Sequence, residues 1–273
     1  MLGQRLITGA LLAAALLGAL VWLPTGWLSL LLGGVVLAGA WEWAGLADLA
    51  GAARLAYVMA VAAALLGCHW AWPGAALPVL VAAGLWWLVT LVWVIAYPRG
   101  ARCWSGAGTP VMGAMVLVPA WVGAHWLLAQ ERGALWLGVV VMVVAGSDIG
   151  AFFGGRAWGR HRLAPAVSPG KTWEGVACGL AAALVVGWLA VAPLGLGECW
   201  WLWLPVVLCG ASAGVLGDLG ESMVKRHHGV KDSGSLLPGH GGALDRIDSL
   251  TAALPVFALG LAVSGLAAGS AGF

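Results

Sequence analysis

Apolar runs of about 20 residues follow one another along this chain with scarcely a break, and that pattern restricts the fold more than any single motif. A helix rises about 1.5 Å per residue, so about 20 apolar residues cover the roughly 30 Å hydrocarbon core of a bilayer. Nine such runs stand at about 6–23, 27–46, 56–73, 77–97, 110–129, 134–154, 174–195, 199–220 and 248–268. Lipid offers no partner to a backbone N–H or C=O, which leaves helices or a closed barrel. The alternating segments of about ten residues that a barrel requires are absent. The expected fold is therefore an all-α, polytopic membrane helix bundle of about nine transmembrane helices. Charged residues make up only 9% of the 273, against about 25% in a soluble domain. No polar stretch reaches the roughly 50 residues of a separate aqueous domain. The first run follows Arg5 as in a signal peptide, but no polar cleavage region comes after it, so it reads as the first span.

The basic residues orient the bundle. With nine spans, Arg5, Arg54, Arg99, Arg102, Arg156, Arg160, Arg162, Lys171, Lys225, Arg226, Lys231 and Arg246 fall on one side, twelve of the thirteen Lys and Arg residues, and Arg132 alone falls on the other. The positive-inside rule then puts the N-terminus in the cytoplasm. Adding or losing one helix midway would scramble so clean a division. The expected location is the inner (cytoplasmic) membrane, multi-pass. Residues 1–130 form five N-terminal spans. Residues 131–273 form a second region whose polar loops, 155–173 and 221–247, face the cytoplasm. The nineteen Trp residues suit interfacial belts and, in part, packing between helices. The five cysteines show no metal-ligand spacing and read as small apolar fillers.

Against this background the stretch from Lys225 to Ser249, KRHHGVKDSGSLLPGHGGALDRIDS, stands out for its seven charges, three histidines and five glycines. Just before it, Asp218, Glu221 and Lys225 share a helical face at the inner end of the eighth span. A charged side chain deep in a bilayer costs about 2.5–3.5 kcal/mol on insertion scales, so it normally faces a wet cavity or a partner. A helix-end salt bridge from Glu221 to Lys225 is the structural alternative. Asp245 and Asp248 repeat the spacing of three at the start of the ninth span, where they could equally serve the helix dipole. Gly241 and Gly242 let backbone approach a ligand and could form an anion-binding nest. His240 could contact phosphate or be an ordinary loop residue.

Carboxylates from two helix ends, beside Lys225, Arg226 and Lys231, suit a hard cation such as Mg2+ shared with substrate phosphates, the equipment of phosphoryl or nucleotidyl transfer. A second cluster closes the sixth span: Asp148 ends an apolar run, and SPGKTWEG supplies Ser168, Lys171, Thr172 and Glu174. The P-loop pattern fails there, since no glycine stands at position 165. Gly150, Gly154, Gly155 and Gly159 suit tight helix packing or exposed backbone. Glu42, near the inner end of the second span, could pair with a loop arginine or line the cavity. His69 and His125 lie toward the other side, interfacial or packed.

The segment from Ser222 to Asp248 resembles the signature of the phosphatidate cytidylyltransferases, or CDP-diacylglycerol synthases, S-x-x-K-R-x4-K-D-x-[GSA]-x2-[LIF]-[PG]-x-H-G-G-x-x-D-R-x-D. The match holds at Ser222, Lys225, Arg226, Lys231, Asp232, Gly234, Leu237, Pro238, His240, Gly241, Gly242, Asp245, Arg246 and Asp248. The segments DIGAFFGGRAWG and SPGKTWEG are also similar to the family's. The resemblance implies a Mg2+-dependent nucleotidyltransferase that converts CTP and phosphatidic acid to CDP-diacylglycerol and pyrophosphate. On that reading Asp218 and Asp245 are primary metal ligands, with Asp248 and Asp148 as further ligands or supports and a second cation left open. Lys225 and Arg226 grip phosphate, and Asp245 and Asp248 complete the catalytic set. Ser168, Lys171 and Thr172 close the site from the other loop, and Ser222, Lys231, His240, Gly241, Gly242 and Arg246 contact substrate. Arg246 points away from Asp245 and pairs with Asp148 or Asp232. Partners are CTP, phosphatidic acid and membrane lipid, with a homodimer as one option and no nucleic acid. The rivals are an ion-coupled secondary transporter using Glu42, Asp148 and Asp218, and a polyprenol or lipid kinase.

Overall fold

The computed structural model describes residues 11, 14–99, 108–234, 236 and 241–267. His240, Leu237 and Pro238 of the signature lie outside them, as do Arg5 and Arg102. In order, the elements are α1 (Thr25–Leu46), α2 (Gly51–Trp70), α3 (Ala76–Ala96), α4 (Gly108–Leu128), α5 (Gly133–Trp158), β1 (Arg162–Ala164), β2 (Ser168–Thr172), α6 (Trp173–Leu189), α7 (Val191–Leu194), α8 (Trp200–His227) and α9 (Leu244–Ser264). Residues 14–22 are helical ahead of them. Among the described residues, α1 to α5, α8 and α9 are seven helices long and apolar enough to cross a membrane. The chain is an all-α polytopic membrane bundle. Among the described residues the one sheet is the small antiparallel β1–β2 hairpin, which pairs Arg162 with Thr172 and Ala164 with Ser168.

Two of the nine expected spans differ from the rest. The first overlaps the helical residues 14–22 and partly lies outside the described residues. The seventh corresponds to α6, whose 17 residues rise only about 25 Å. It still runs back along α5. A Cβ on Gly146 would meet Val186, one on Gly150 would meet Ala182 and Cys178, and one on Gly155 would meet Thr172 and Gly175. At its far end the Gly187 carbonyl accepts a hydrogen bond from Trp203 Nε1 near the start of α8, at 2.8 Å. The short α7 completes that return.

α9 is the hub. It packs on α8, α4, α3, α5 and α1, and Leu244, Phe257 and Leu261 along it are fully buried. The tryptophans fall into two groups. Trp22 and Trp70 are exposed near helix ends, whereas Trp43, Trp136 and Trp203 are buried. Trp43 and Trp121 spend their indole N–H groups on the Thr109 and Ser29 carbonyls, as burial of an indole demands. His125 is packed: it stacks on Trp121 and shares a hydrogen bond with Ser29 Oγ, at the end of α1 away from Glu42.

The glycines of the sixth expected span serve packing. An added Cβ on Gly150 would lie 2.7 Å from the Ala182 methyl and 2.8 Å from the Cys178 carbonyl oxygen, and one on Gly179 would lie 2.7 Å from the Ser147 carbonyl oxygen. Close backbone approach of this kind is how membrane helices gain van der Waals contact when lipid removes the hydrophobic drive. Gly150→Val should therefore cost about 1–3 kcal/mol through overpacking, read as a lowered thermal inactivation midpoint in detergent. Gly67→Ala, where nothing lies within 4 Å, should leave the midpoint unchanged.

Candidate functional site

The polar residues gather at one end of the bundle in two groups, one closed and one open. The closed group is built on the start of α9. The first amides of a helix have no partner within it, and here Glu42 of α1 supplies one. Its buried carboxylate accepts from Ala243 N at 3.0 Å, Leu244 N at 2.8 Å and Ser233 Oγ at 3.2 Å. A negative charge there also complements the helix dipole. Glu42 thus neither pairs with a loop arginine nor lines the open cavity. The glycines of the signature fit around it. A Cβ on Gly234 would stand 2.5 Å from Glu42 Oε1, and one on Gly242 would collide with Ser233 Oγ and Glu42 Oε2. Gly241 takes φ +78°, a left-handed conformation that glycine adopts without steric cost.

Beside this cap, Lys225 is buried between two acids. Its Nζ donates to Asp245 Oδ1 at 2.7 Å and lies 3.2 Å from Glu221 Oε1, too poorly aligned for a hydrogen bond. The expected helix-end pairing of Glu221 with Lys225 is present. Asp245 has both oxygens engaged: Gly242 N donates to Oδ2 at 2.8 Å and Ser233 N reaches the same oxygen at 3.1 Å. The Gly242 amide is therefore spent on Asp245 and does not form a free anion nest. Behind Glu221 a cavity of about 10 Å3 is bordered by Trp87, Thr90 and Asp248, room for about one water.

The open group surrounds a cavity of about 490 Å3 between α5, the β2–α6 junction and α8, lined by Asp148, Phe152, Arg156, Lys171, Thr172 and Asp218 among others. Lys171 Nζ is 2.6 Å from Asp218 Oδ2, both side chains partly exposed. Ser222 Oγ donates to Asp218 Oδ1 at 3.2 Å. Asp148 is an electrostatic neighbour of Asp218 and Lys171, with the Ser249 hydroxyl of α9 alongside. Asp248, held by the Ser249 amide at 2.7 Å, also feels Asp218 and Lys171. Thr172 caps α6 by accepting from Gly175 N at 3.1 Å. Glu174 ties the hairpin down, accepting from the Arg160 and His161 amides and pairing with His161 Nδ1 at 2.6 Å.

The expected site residues therefore separate. Asp148, Lys171, Thr172 and Asp218 meet at the open cavity, with Ser222 hydrogen-bonded to Asp218. Lys225, Asp245 and Gly242 belong to the closed group, so the pairing of Asp218 with Asp245 as joint ligands is not prepared: each faces a different lysine. Arg226 is exposed and donates to the Val230 carbonyl. Lys231 and Arg246 are exposed and make no ion pair among the described residues, so Arg246 pairs with neither Asp148 nor Asp232. Ser168 begins β2. His228, just past α8, lies 3.8 Å from Asp48, but loss of solvent and the neighbouring His227 hold its pKa below the usual histidine value. Arg156, not among the expected residues, lines the cavity with Asp148 and Phe152, and their spacing of four along α5 is the signal that could have found it.

No group of three or more His, Cys, Asp or Glu side chains among the described residues already stands as a metal site. The donor set at the open cavity nonetheless suits Mg2+, which binds oxygen and commonly takes one or two carboxylates plus substrate phosphates. Asp148 and Asp218 offer those carboxylates, and Asp245 does not without giving up Lys225 and two amides.

Residues 3–264 match the model of the cytidylyltransferase family. The phosphatidate cytidylyltransferase of Pseudomonas aeruginosa is 46% identical over 265 residues, covering 94% of this chain and 96% of its own. That of Haemophilus influenzae is 37% identical over 284 residues, covering 94% and 97%. That of Staphylococcus saprophyticus is 41% identical over 140 residues, covering 50% and 54%. The chain belongs to the cytidylyltransferase family.

The two groups should respond differently to loss of their lysine. Lys225→Met leaves two buried acids uncompensated and should destabilise the fold by about 3–5 kcal/mol. Lys171→Met breaks a partly exposed pair and should cost about 0–1 kcal/mol. Denaturant unfolding in detergent, followed by tryptophan fluorescence, compares them.

Proposed function

We propose that this member of the cytidylyltransferase family is a phosphatidate cytidylyltransferase, acting on CTP and phosphatidic acid with Mg2+ at the cytoplasmic face of the inner membrane. The single observation that carries the reading is the open cavity, where Lys171 and Arg156 stand with Asp148 and Asp218 among otherwise apolar helices. Basic side chains for phosphate and carboxylates for a hard cation meet there within one space. The one-sided distribution of basic residues supports a cytoplasmic site, where CTP is available. Membership of the family and the full-length likeness to two phosphatidate cytidylyltransferases support the substrates.

In the reaction a non-bridging oxygen of the lipid phosphate forms a bond to the α-phosphorus of CTP. The bond from that phosphorus to the bridging oxygen of the β-phosphate breaks, and pyrophosphate leaves with the electron pair. A phosphate monoester is largely ionised at neutral pH, with a second pKa near 6, so the nucleophile needs no protein base. The difficulty is to hold two polyanions together and in line. Lys171 and Arg156 reduce that repulsion by pairing with phosphate oxygens, and Lys171 exchanges Asp218 for substrate as it does so. Asp148 and Asp218 would hold Mg2+, which when bound supplies charge neutralisation for the phosphates. Ser222 orients Asp218 by donating to its Oδ1. Exposed Arg226, Lys231 and Arg246 draw anions to this end of the molecule. Ile149, Phe152 and Phe153 are exposed on α5 beside Asp148, which suits lipid chains arriving sideways from the bilayer. Residues 131–273 carry this chemistry, and residues 1–130 contribute Glu42 to its frame.

Purified protein supplied with CTP, phosphatidic acid and Mg2+ should release pyrophosphate and form CDP-diacylglycerol, and chelation of the metal should stop it. Asp218→Asn and Lys171→Ala should each lower kcat/KM by at least about 100-fold while the protein stays folded. A preparation that makes no CDP-diacylglycerol, or an Asp218→Asn variant of normal activity, would overturn the assignment.

A further inference from the structure

We infer that Glu42, on a helix about 200 residues before α9 in sequence, is a positioning residue for catalysis: its carboxylate sets where the first turn of α9 lies and thereby, through the packing of Asp248 on Gly217, where Asp218 of α8 stands in the open site. The inference rests on the function proposed above. Three observations carry it. Glu42 is buried, and its two oxygens take two successive amides at the start of α9 together with the Ser233 hydroxyl. Two glycines of the signature, Gly234 and Gly242, leave no room for a side chain because Glu42 fills that space. The turn so fixed leads about one helical turn on to Asp248, whose carbonyl would meet a Cβ on Gly217 at 2.5 Å, and the next residue along α8, Asp218, lines the cavity. A shift of the first turn would therefore pass along the α8–α9 contact to the residues facing the cavity, because packed interiors do not absorb such shifts smoothly.

A glutamine keeps the size of Glu42 but presents an NH2 where one of three donors now meets an oxygen. The Ser233 hydroxyl acts only through the carboxylate, since the Ser233 amide is bonded to Asp245 and survives replacement of the side chain. Glu42→Gln, Ser233→Ala and the double variant separate positioning from simple stability. Their pyrophosphate release gives kcat and the KM for CTP per folded enzyme, and hydrogen exchange reports the amides of residues 242–245. Glu42→Gln should lower kcat by about 10- to 100-fold, as a displacement of about 1 Å does, with the KM for CTP changed by no more than about twofold. Ser233→Ala should lower kcat by about two- to fivefold, and the double variant should be no worse than Glu42→Gln alone, because both act through one carboxylate. Exchange of the 242–245 amides should quicken by at least about tenfold in Glu42→Gln.

Normal kcat in folded Glu42→Gln, unchanged exchange in that variant, or losses that simply multiply in the double variant would overturn the inference. Should Glu42→Gln fail to fold, a Ser233→Ala enzyme with wild-type kcat would overturn it. A wild-type protein that makes no CDP-diacylglycerol would defeat the functional reading instead, and the exchange measurement would still decide whether Glu42 holds the turn.

Discussion

A helix that begins at the edge of a membrane leaves amides without partners, and the rest of this structure follows from how α9 satisfies them. Water is scarce at its buried N-terminus, and an unpaired polar group there would cost several kcal/mol. The chain answers with an acid from a distant helix instead of a local Ser, Thr or Asn cap: the residue at the cap position is Ala243, with no side-chain bond. Because Glu42 is charged and buried, every one of its acceptor oxygens must be used, and they are used on Ser233, Ala243 and Leu244. That demand fixes the loop before α9 to the end of α1. It also leaves the loop no side chain at positions 234 and 242.

The second consequence is electrostatic. Lys225 is buried among apolar helices and is tolerable only because Asp245 and Glu221 accompany it. A buried ion pair of this kind gives little net stability over an apolar replacement, but it strongly disfavours any arrangement that parts its members. The signature is thus a knot in which Lys225 fixes Asp245, Asp245 fixes the amides of Ser233 and Gly242, and Glu42 fixes the amides that follow. Other basic side chains have weaker or more exposed partners. Lys171 has one partly exposed acid, and Arg156 opens onto the cavity.

Most of the fold could be read from hydropathy, because a run of about 20 apolar residues has few other uses. The seventh span was harder: α6 ends at Leu189, and the apolar stretch that continues to 195 hides a turn at Gly195, φ +72°. At the site, the residue types were legible and their division was not. Asp218 and Asp245 look alike in sequence, each an acid at the inner end of a span, with a basic residue near it. Which lysine each one faces depends on how α8 turns against α9 and on where the 168–172 strand folds back, and neither has a local signature. Glu42 could be singled out as a costly acid, but nothing near it in sequence announces amides two hundred residues away.

The same logic bears on how a dense polar signature in a membrane protein should be interpreted. Long motif matches invite the assumption that each charged member touches substrate. In this chain the closed group pairs Lys225 and Gly242 with Asp245 and leaves Gly234 as space for Glu42, whereas Asp148, Arg156 and Lys171, which border the open cavity, come from outside the 222–248 segment. A buried pair has to be complete before substrate arrives, since an unmatched charge would not stay in a dry interior. A phosphate-binding group has to remain incomplete, or paired weakly enough to exchange. Burial and the completeness of pairing therefore separate frame from reaction centre where sequence spacing does not. By that measure the 222–248 segment is mostly self-paired frame, and the incompletely paired charges border the cavity between α5, the β2–α6 junction and the Asp218 turn of α8.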